Sequence, residues 1–409
     1  MGRSSWFSNK LSTARVTNQI GRERVNLLLS VIQGKMMSYY AKKELQQARK
    51  KAVVYCEANF GKLDGKTANG LVRFSENFEI LAVIDSQMAG EDSGNVLEGI
   101  NNGIPICKDL SHARDTIKIE LDCFIYGVAP ASGKLSKLDR SAVLEAISLK
   151  MDVVNGLHEF FCEDAEFVAA SKEMNTPLID VRKPPHRSVL RTFTGRVSEI
   201  KCPRIAIMGT DCAIGKRTTG TILTQALNEK GVKTIMISTG QTGLIQGARY
   251  GVALDSIPSQ FCAGELEAAI LDAYDNEAPD VIVIEGQGAL GHPAYSTSSF
   301  ILRGSCPNSF ILLHAPKREN RCDFPKMPMP SAASEISLIQ AFCQAKPIGL
   351  AINSENMLSD QITETIDYYH QEFAFPVVDP INKSAKEKLV EIVMNEYPEL
   401  KKNQSLIHL

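Results

Sequence analysis

The chain has 409 residues, of which 44% are hydrophobic and 22% charged, a composition typical of a globular enzyme with two or three domains. Residues 1–50 carry ten Lys and Arg against two Glu, so the net charge of −2 leaves an acidic remainder. That remainder lacks the clustered basic face that nucleic acids require, and no apolar stretch approaches the roughly 20 residues that span a bilayer.

The basic segment 1–48 has two interpretations. It is rich in Arg, contains Ser and is poor in acids, as organelle transit peptides are. The favoured alternative is a helix whose apolar side, within 25–40, docks on another subunit. The ten cysteines show no CxxC pair, which indicates reduced intracellular thiols. We therefore expect a cytoplasmic homo-oligomer, or an organellar protein if 1–48 is a transit peptide.

Strand and helix patterns alternate from about residue 49, which is typical of α/β folds. Short apolar strands are predicted at 52–56, 79–85, 123–128, 152–154 and 178–181. A Gly-rich loop at 58–70 follows the first of them, and a helix is expected to begin at Leu71. Polar or Gly- and Pro-rich loops follow every strand, at the edge where doubly wound sheets bind ligands.

A segment with little periodicity, 182–201, contains two consecutive prolines and is predicted to link two domains. The second α/β unit follows it. Its strands are predicted at 204–208, 234–238, 281–284, 310–314 and 348–352, and its helices at 219–230, 263–274, 334–344 and 359–370.

The segment 209–219 has the pattern of a phosphate-binding loop. It lies between a strand and a helix, as a P-loop must. Backbone N–H groups then surround a phosphate, the helix N-terminus adds positive potential and Lys216 neutralises oxygens. A strand–helix turn that binds nothing is the disfavoured alternative. The predicted cofactor-binding residues are Gly209, Thr210, Asp211, Cys212, Ala213, Ile214, Gly215, Lys216, Arg217, Thr218 and Thr219.

Two departures distinguish this loop from the common motif. Five residues separate Gly209 from Gly215 instead of four, a spacing that resembles the dethiobiotin-synthetase branch of P-loop proteins. Arg217 occupies the position where nucleotide hydrolases place the hydroxyl that holds Mg²⁺. Thr218 and Thr219 are displaced from it by about 100° of helix rotation per residue. The loop therefore suits a diphosphate that is held rather than cleaved, such as that of coenzyme A.

An apolar strand at 281–284 delivers Glu285 at its carboxyl end, beside the phosphate loop in this fold class. Its carboxylate suits a general base or, often through water, a metal ligand, and a capping role is the alternative. His292 and His314 are further acid–base candidates, although a lone histidine is more often structural. Because no metal-ligand spacing is visible, no metal is predicted.

Other strand ends offer polar groups to the same region. Gln241 and Thr242 follow the strand 234–238, and such neutral groups suit the orientation of an amide or carboxylate, with a plain polar loop as the alternative. In the first domain, His158 and Arg182 follow strands and offer charge to a cleft between domains. An ordinary helix-start role for His158 is equally compatible with the sequence.

Together these segments resemble the D-glutamate N-acetyltransferase (DgcN-type) family, long described as a P-loop family of unknown function. The resemblance implies a Rossmann-like domain at 49–195 and a P-loop NTPase-like α/β domain resembling dethiobiotin synthetase at 196–409. The extension 1–48 lies outside it. The matching motifs are FGKLDGKTANGL, AVIDSQMAG, GVAPASG, VVNGLHEF, LIDVRKPP, GTDCAIGKRTTG, STGQTG and VIVIEGQGALGHPAYS.

The resemblance implies acetyl transfer from acetyl-CoA to the amine of D-glutamate or a related D-amino acid, with CoA on the P-loop. Glu285 is then the first candidate base and His292 the second. Arg217 replaces an apolar residue expected there. The alternatives are an ATP- and Mg²⁺-dependent ligase or kinase, and a non-catalytic nucleotide-binding protein. The predicted substrate-binding residues are Gln241 and Thr242, with Lys62, Lys66, Arg182 and Lys183 as partners for carboxylates.

Overall fold

The computed structural model describes residues 49–130, 132–382 and 384–400, so the predictions for 1–48 lie outside the described residues. The first sheet is parallel, with strand order β3-β2-β1-β4-β5-β6. This is the order of doubly wound dinucleotide-binding folds. Its strands are β1 (Lys50–Tyr55), β2 (Phe78–Ile84), β3 (Ile106–Cys107), β4 (Cys123–Tyr126), β5 (Asp152–Asn155) and β6 (Leu178–Asp180).

The helices of this half connect the parallel strands. The first begins at Lys66, five residues before the predicted start, and ends at Arg73. Gly70 suggested a loop, but it lies within this helix, where the absence of a Cβ leaves room for the Arg217 guanidinium. The helices are α1 (Lys66–Arg73), α2 (Ser93–Glu98), α3 (Leu110–Ile117), α4 (Asp139–Ser148) and α5 (Ala165–Met174).

The second sheet is also parallel, with strand order β15-β14-β11-β7-β10-β8-β9, while β12 and β13 form a separate antiparallel hairpin. The strands are β7 (Arg204–Gly209), β8 (Thr234–Ser238), β9 (Tyr250–Gly251), β10 (Val281–Glu285), β11 (Ser309–His314), β12 (Asn320–Arg321), β13 (Phe324–Pro328), β14 (Lys346–Ile352) and β15 (Val377–Val378). The helices are α6 (Lys216–Glu229), α7 (Gln241–Gln246), α8 (Ser259–Glu277), α9 (Thr297–Ser305), α10 (Ala332–Phe342), α11 (Ser359–Glu372) and α12 (Ala385–Glu396).

The central strands of both sheets are buried along their whole length. Strands β7, β10 and β11 contain no exposed residue, and β4 of the first sheet is equally buried. Parallel sheets are covered on both faces, so their strands need continuous apolar runs instead of alternation. The predicted α/β fold is confirmed. Within the described ranges, no helix combines the length and hydropathy needed to cross a bilayer.

The two halves belong to one compact unit and meet where α1 packs against α7. The Gln246 side-chain amide donates to the carbonyl oxygens of Gly70 (2.7 Å) and Phe74 (2.8 Å). The hydroxyls of Thr67 and Thr242 are 2.9 Å apart. These contacts set the carboxyl edge of one sheet against that of the other.

The segment between the sheets is anchored to α8 by two buried carboxylates. Glu267 accepts hydrogen bonds from the Thr194 N–H (2.6 Å), the Thr194 hydroxyl (2.9 Å) and the Val197 N–H (3.1 Å). Glu265 holds Arg191, with an Nη2–Oε2 distance of 2.8 Å. The linker is therefore a fixed part of the structure, although its sequence shows no regular pattern.

Glu267→Ala should destabilise the protein, because three donors lose a buried acceptor. We expect the free energy of unfolding to fall by about 3 kcal/mol in urea titrations. The control is Glu229→Ala, which removes an exposed ion pair with Lys386 and should cost less than about 1 kcal/mol. Equal losses for the two variants would contradict the anchoring role of Glu267.

Candidate functional site at the junction of the two sheets

The phosphate loop connects β7 to α6 and has a conformation suited to its sequence. Gly215 adopts φ +99°, a backbone region that side chains disfavour. A Cβ on Gly209 would lie 2.7 Å from Ile214 Cδ1, so this glycine allows the loop to fold over itself. Buried Lys216 donates to the Asp211 carbonyl oxygen, and burial lowers the pKa of its ammonium group. The lysine therefore lies along the loop beside the helix N-terminus.

Arg217 lies near the start of α6, on the side of this helix that faces the N-terminal half. A Cβ on Gly70 of α1 would lie 2.4 Å from its Nη2 atom, which shows how closely the guanidinium approaches that helix. Its guanidinium makes no hydrogen bond or ion pair within the described part of the chain. Burial lowers its pKa, and the negative charge of Glu285 opposes this shift. Thr219, the second hydroxyl after it, is fully buried.

A cavity of ≈ 440 Å³ opens where the two carboxyl edges meet, which is the ligand-binding edge of doubly wound sheets. Arg217 lines both this cavity and a second one of ≈ 430 Å³. The N-terminal half contributes Asp64, Lys66, Ala129, Pro130, His158 and Arg182 to the larger cavity. The P-loop half contributes residues 212–218, 240–242 and 285–288, with Asp255, Tyr295, Thr297 and Asp323.

Glu285 ends β10 at the wall of this cavity and is firmly held. Its Oε2 atom accepts hydrogen bonds from the Ser238 hydroxyl (2.5 Å) and from the Thr239 N–H (3.0 Å). The Thr239 hydroxyl donates to the Glu285 carbonyl oxygen at 2.9 Å. The carboxylate is thus fixed at the strand end, with one oxygen committed to these donors.

His292 does not reach the cavity lining. Its ring stacks on Tyr295, with centroids 4.6 Å apart, and its Nδ1 atom accepts a hydrogen bond from the Ala294 N–H at 3.1 Å. Its Nε2 atom lies 3.7 Å from Asp211 Oδ1. Burial, followed by the charge of Arg321, lowers the pKa of the imidazole. This geometry gives His292 a role in supporting the loop instead of direct access to a substrate.

Asp211 connects the phosphate loop to the β12–β13 hairpin region. Its Oδ2 atom accepts from Arg318 Nη1 (2.9 Å) and from the Cys322 N–H (2.8 Å). Arg318 also pairs with Glu355 at 2.8 Å. The Asp211 side chain is therefore a structural anchor between the phosphate loop and the hairpin.

Three residues near the loop carry possible metal-ligand atoms. One such atom from each of Asp211, Cys212 and His292 lies within 4.8 Å of the others. The His292 Nδ1 atom accepts a hydrogen bond, so Nε2 carries the hydrogen in the neutral ring. A histidine that binds a metal through Nε2 would instead usually donate from Nδ1. Arg318 and Arg321 also place positive charge beside this group. The arrangement does not fit a cation.

The structure divides the predicted substrate-binding residues. Gln241, Thr242, Lys66 and Arg182 line the cavity. Lys66 is exposed and makes no ion pair within the described ranges. The charge of Arg182 is already satisfied, because its Nη2 atom lies 2.6 Å from Asp255 Oδ2.

The other two predicted lysines lie outside the cavity lining. The Lys62 ammonium donates to the Ala58 carbonyl oxygen at 2.8 Å, within its own loop. Lys183 pairs with Glu163 at 3.2 Å. A position just after a strand was therefore insufficient to predict that a side chain lines the cavity, because some of these side chains bind to their own loop.

Sequence reasoning did not find Asp323 or Tyr295, which both line the cavity. The Tyr295 hydroxyl donates to Asp323 Oδ2 at 2.9 Å. Asp323 lies between the two strands of the β12–β13 hairpin, and its sequence has no motif that indicates a site. Tyr295 lies in a motif that carries the family resemblance, but a tyrosine two residues after a proline does not by itself indicate a site.

Comparisons with known proteins agree with this architecture. Residues 86–184 match the family described as a DUF1611_N Rossmann-like domain, and residues 191–390 match the DUF1611_C P-loop domain, both of unknown function. A protein named D-glutamate N-acetyltransferase from Pseudoalteromonas is 32% identical over 68% of this chain and 84% of its own length. The chain belongs to the DUF1611 family.

Further relatives of the DUF1611 family extend the match. A D-glutamate N-acetyltransferase from Tritonibacter scottomollicae is 28% identical over 64% of this chain and 78% of its own length. The crystal structure of a DUF1611 protein from Anabaena variabilis superposes with a TM-score of 0.78 at 28% identity, covering 85% of this chain and all of that one. The family resemblance drawn from the sequence is confirmed.

The free energy of unfolding should decrease as the pH falls because of His314, which lies near the phosphate loop. Burial lowers the pKa of this imidazole to about 4 from 6.5, so the unfolded state takes up a proton first as the pH falls. We expect a loss of on the order of 3 kcal/mol between pH 6.5 and 4. His314→Gln should flatten this dependence in urea titrations, and the exposed-site control His186→Gln should not. The same pH dependence of unfolding in the wild type and both variants would contradict this role of His314.

Proposed function

We propose that this protein is an N-acetyltransferase that moves the acetyl group of acetyl-CoA to the amine of D-glutamate or a related D-amino acid. Two relatives carry the name D-glutamate N-acetyltransferase, which supports acyl transfer as the reaction class. The observation that carries the cofactor assignment is the pairing of a P-loop with Arg217 in place of the metal-binding hydroxyl.

The loop supports a bound diphosphate without a metal. In P-loop hydrolases, Mg²⁺ held by the residue after the lysine neutralises phosphate oxygens and promotes their transfer. Here a guanidinium occupies that position without a hydrogen-bond partner in the described part of the chain. A guanidinium forms paired hydrogen bonds with phosphate oxygens, so it binds a diphosphate without activating it for cleavage. Acetyl-CoA brings such a diphosphate.

The cavity suits an acidic amino acid as the acceptor. Lys66 enters it from the N-terminal half and provides positive charge for a carboxylate. Gln241 and Thr242 add neutral hydrogen-bonding groups at the N-terminus of α7. Glu285 adds a fixed carboxylate, to which an ammonium group can be held before it loses its proton.

The direct experiment measures the free thiol that is released from acetyl-CoA in a buffer that contains a chelator. D-glutamate, L-glutamate or no acceptor is present. The proposal expects release that depends on the D-amino acid and is unaffected by EDTA. Cleavage of ATP that requires Mg²⁺, without thiol release, would instead support the ligase or kinase. Binding of nucleotide without turnover of any substrate would indicate a non-catalytic nucleotide-binding protein.

Removing either cation of the loop should weaken CoA binding. Lys216→Ala and Arg217→Ser should each raise the dissociation constant by at least about tenfold in calorimetry with EDTA present, because each loses charge-assisted hydrogen bonds. The control is Arg249→Ser, which removes a cation that lines the second cavity only. Unchanged CoA affinity in both loop variants would remove the phosphate-loop assignment.

Lys66 and Lys62 form a matched pair for substrate binding. Lys66→Ala should raise the KM for the acidic amino acid about tenfold, because a carboxylate loses its cationic partner. Lys62→Ala should leave that KM unchanged, because its ammonium is bound within its own loop. If Lys62→Ala alone raised the KM, Lys62 would be the substrate-binding residue and Lys66 would not.

A further inference from the structure

His158 presents its imidazole at the wall of the larger cavity. The side chain remains 46% exposed, and the ring makes no hydrogen bond within the described part of the chain. Its backbone N–H donates to the Gly133 carbonyl oxygen at 3.0 Å. A Cβ on Gly133 would lie 2.8 Å from His158 Cδ2, so the missing side chain makes room for the ring. The turn after β4 therefore determines where the imidazole lies.

A charge pair from both halves of the protein lies behind this ring. His158 Nε2 is 3.7 Å from Asp255 Oδ2. The same Asp255 oxygen is 2.6 Å from Arg182 Nη2, and Arg182 Nη1 donates to the Gly156 carbonyl oxygen. Asp255 thus faces the Nε2 edge of the imidazole, and the Nδ1 atom makes no hydrogen bond in the described part of the chain.

Two other acids of the cavity are less suited to accept a proton. Glu285 Oε2 is committed to Ser238 and Thr239, and Asp323 accepts from Tyr295. Carboxylates also have pKa values far below that of an amine, whereas an imidazole is closer.

The charges around His158 favour a neutral ring. Burial and then Arg182 lower its pKa below 6.5, and Asp255 opposes this shift. Lys66 and Asp64 line the same cavity. The imidazole is therefore unprotonated at neutral pH and ready to take a proton.

We propose that His158 is the general base that deprotonates the acceptor amine, with Asp255 and Arg182 as positioning residues. This assignment rests on the proposed acetyl transfer. His158 takes one proton from the ammonium group and releases it to solvent. The amine nitrogen then bonds to the acetyl carbon. As the C–S bond breaks, the second amine proton passes through His158 to the sulfur, which leaves as the CoA thiol.

The test measures thiol release by full-length wild-type protein and His158→Gln across pH 5 to about 9, using acetyl-CoA and D-glutamate. We expect kcat to fall about 100-fold, the usual scale for a lost general base, with CoA affinity unchanged. In the wild type, kcat/KM should fall with acid as His158 is protonated, below pH 6.5, and this acid limb should disappear in the variant. Added imidazole should restore part of the rate.

Two controls separate the possible failures. His186→Gln removes an exposed histidine of the linker and should leave the pH profile unchanged. Asp255→Asn retains the imidazole but removes its negative neighbour, so the acid limb should move to lower pH. A His158→Gln variant with wild-type kcat and the same acid limb would overturn this inference alone. A wild-type protein that releases no thiol with any acceptor would overturn the proposed function, and the inference with it.

Discussion

The contact between α1 and α7 determines what this molecule can do. The Gln246 amide binds two carbonyl groups at the end of α1, and the Glu76 N–H donates back to the Gln246 carbonyl oxygen at 2.7 Å. Each sheet alone has an open carboxyl edge. Joined by this contact, the two edges enclose a cavity whose charged groups come from both halves. His158 and Asp255 become neighbours, and Arg217 reaches the helix of the opposite half.

Two cations then face the same site at high electrostatic cost. Burial lowers the pKa of both Lys216 and Arg217, which means that the protein alone does not fully compensate their charges. An anionic ligand would supply that compensation, which is consistent with the diphosphate that we propose for the loop. The nearby Asp211 carboxylate opposes the pKa shift of Lys216 only in part, and its Oδ2 atom is held by Arg318 and the Cys322 N–H.

The sequence predicted the longer strands of both sheets and the phosphate loop because these depend on local patterns, but not the two-residue strands β3, β9 and β15. Buried parallel strands require apolar runs such as 281–284, and a P-loop requires glycines and lysine at fixed spacing. The cavity depends on contacts between distant segments, which a local pattern does not encode. His292 illustrates the difference, because it follows a strand-end motif yet its ring lies against Tyr295 and Asp211. The β12–β13 hairpin was missed because β12 has only two residues, and β13 is mostly exposed and contains two prolines.

The central claim is that the loop holds the diphosphate of CoA with Arg217 in place of a metal. A crystal structure of the protein with CoA, grown in the presence of a chelator, tests it most directly. The account predicts phosphate oxygens on the backbone N–H groups of 210–216, within hydrogen-bond distance of Lys216 and Arg217, with the pantetheine arm directed into the cavity beside His158. CoA bound elsewhere, or a loop that binds only a nucleotide with Mg²⁺, would contradict it.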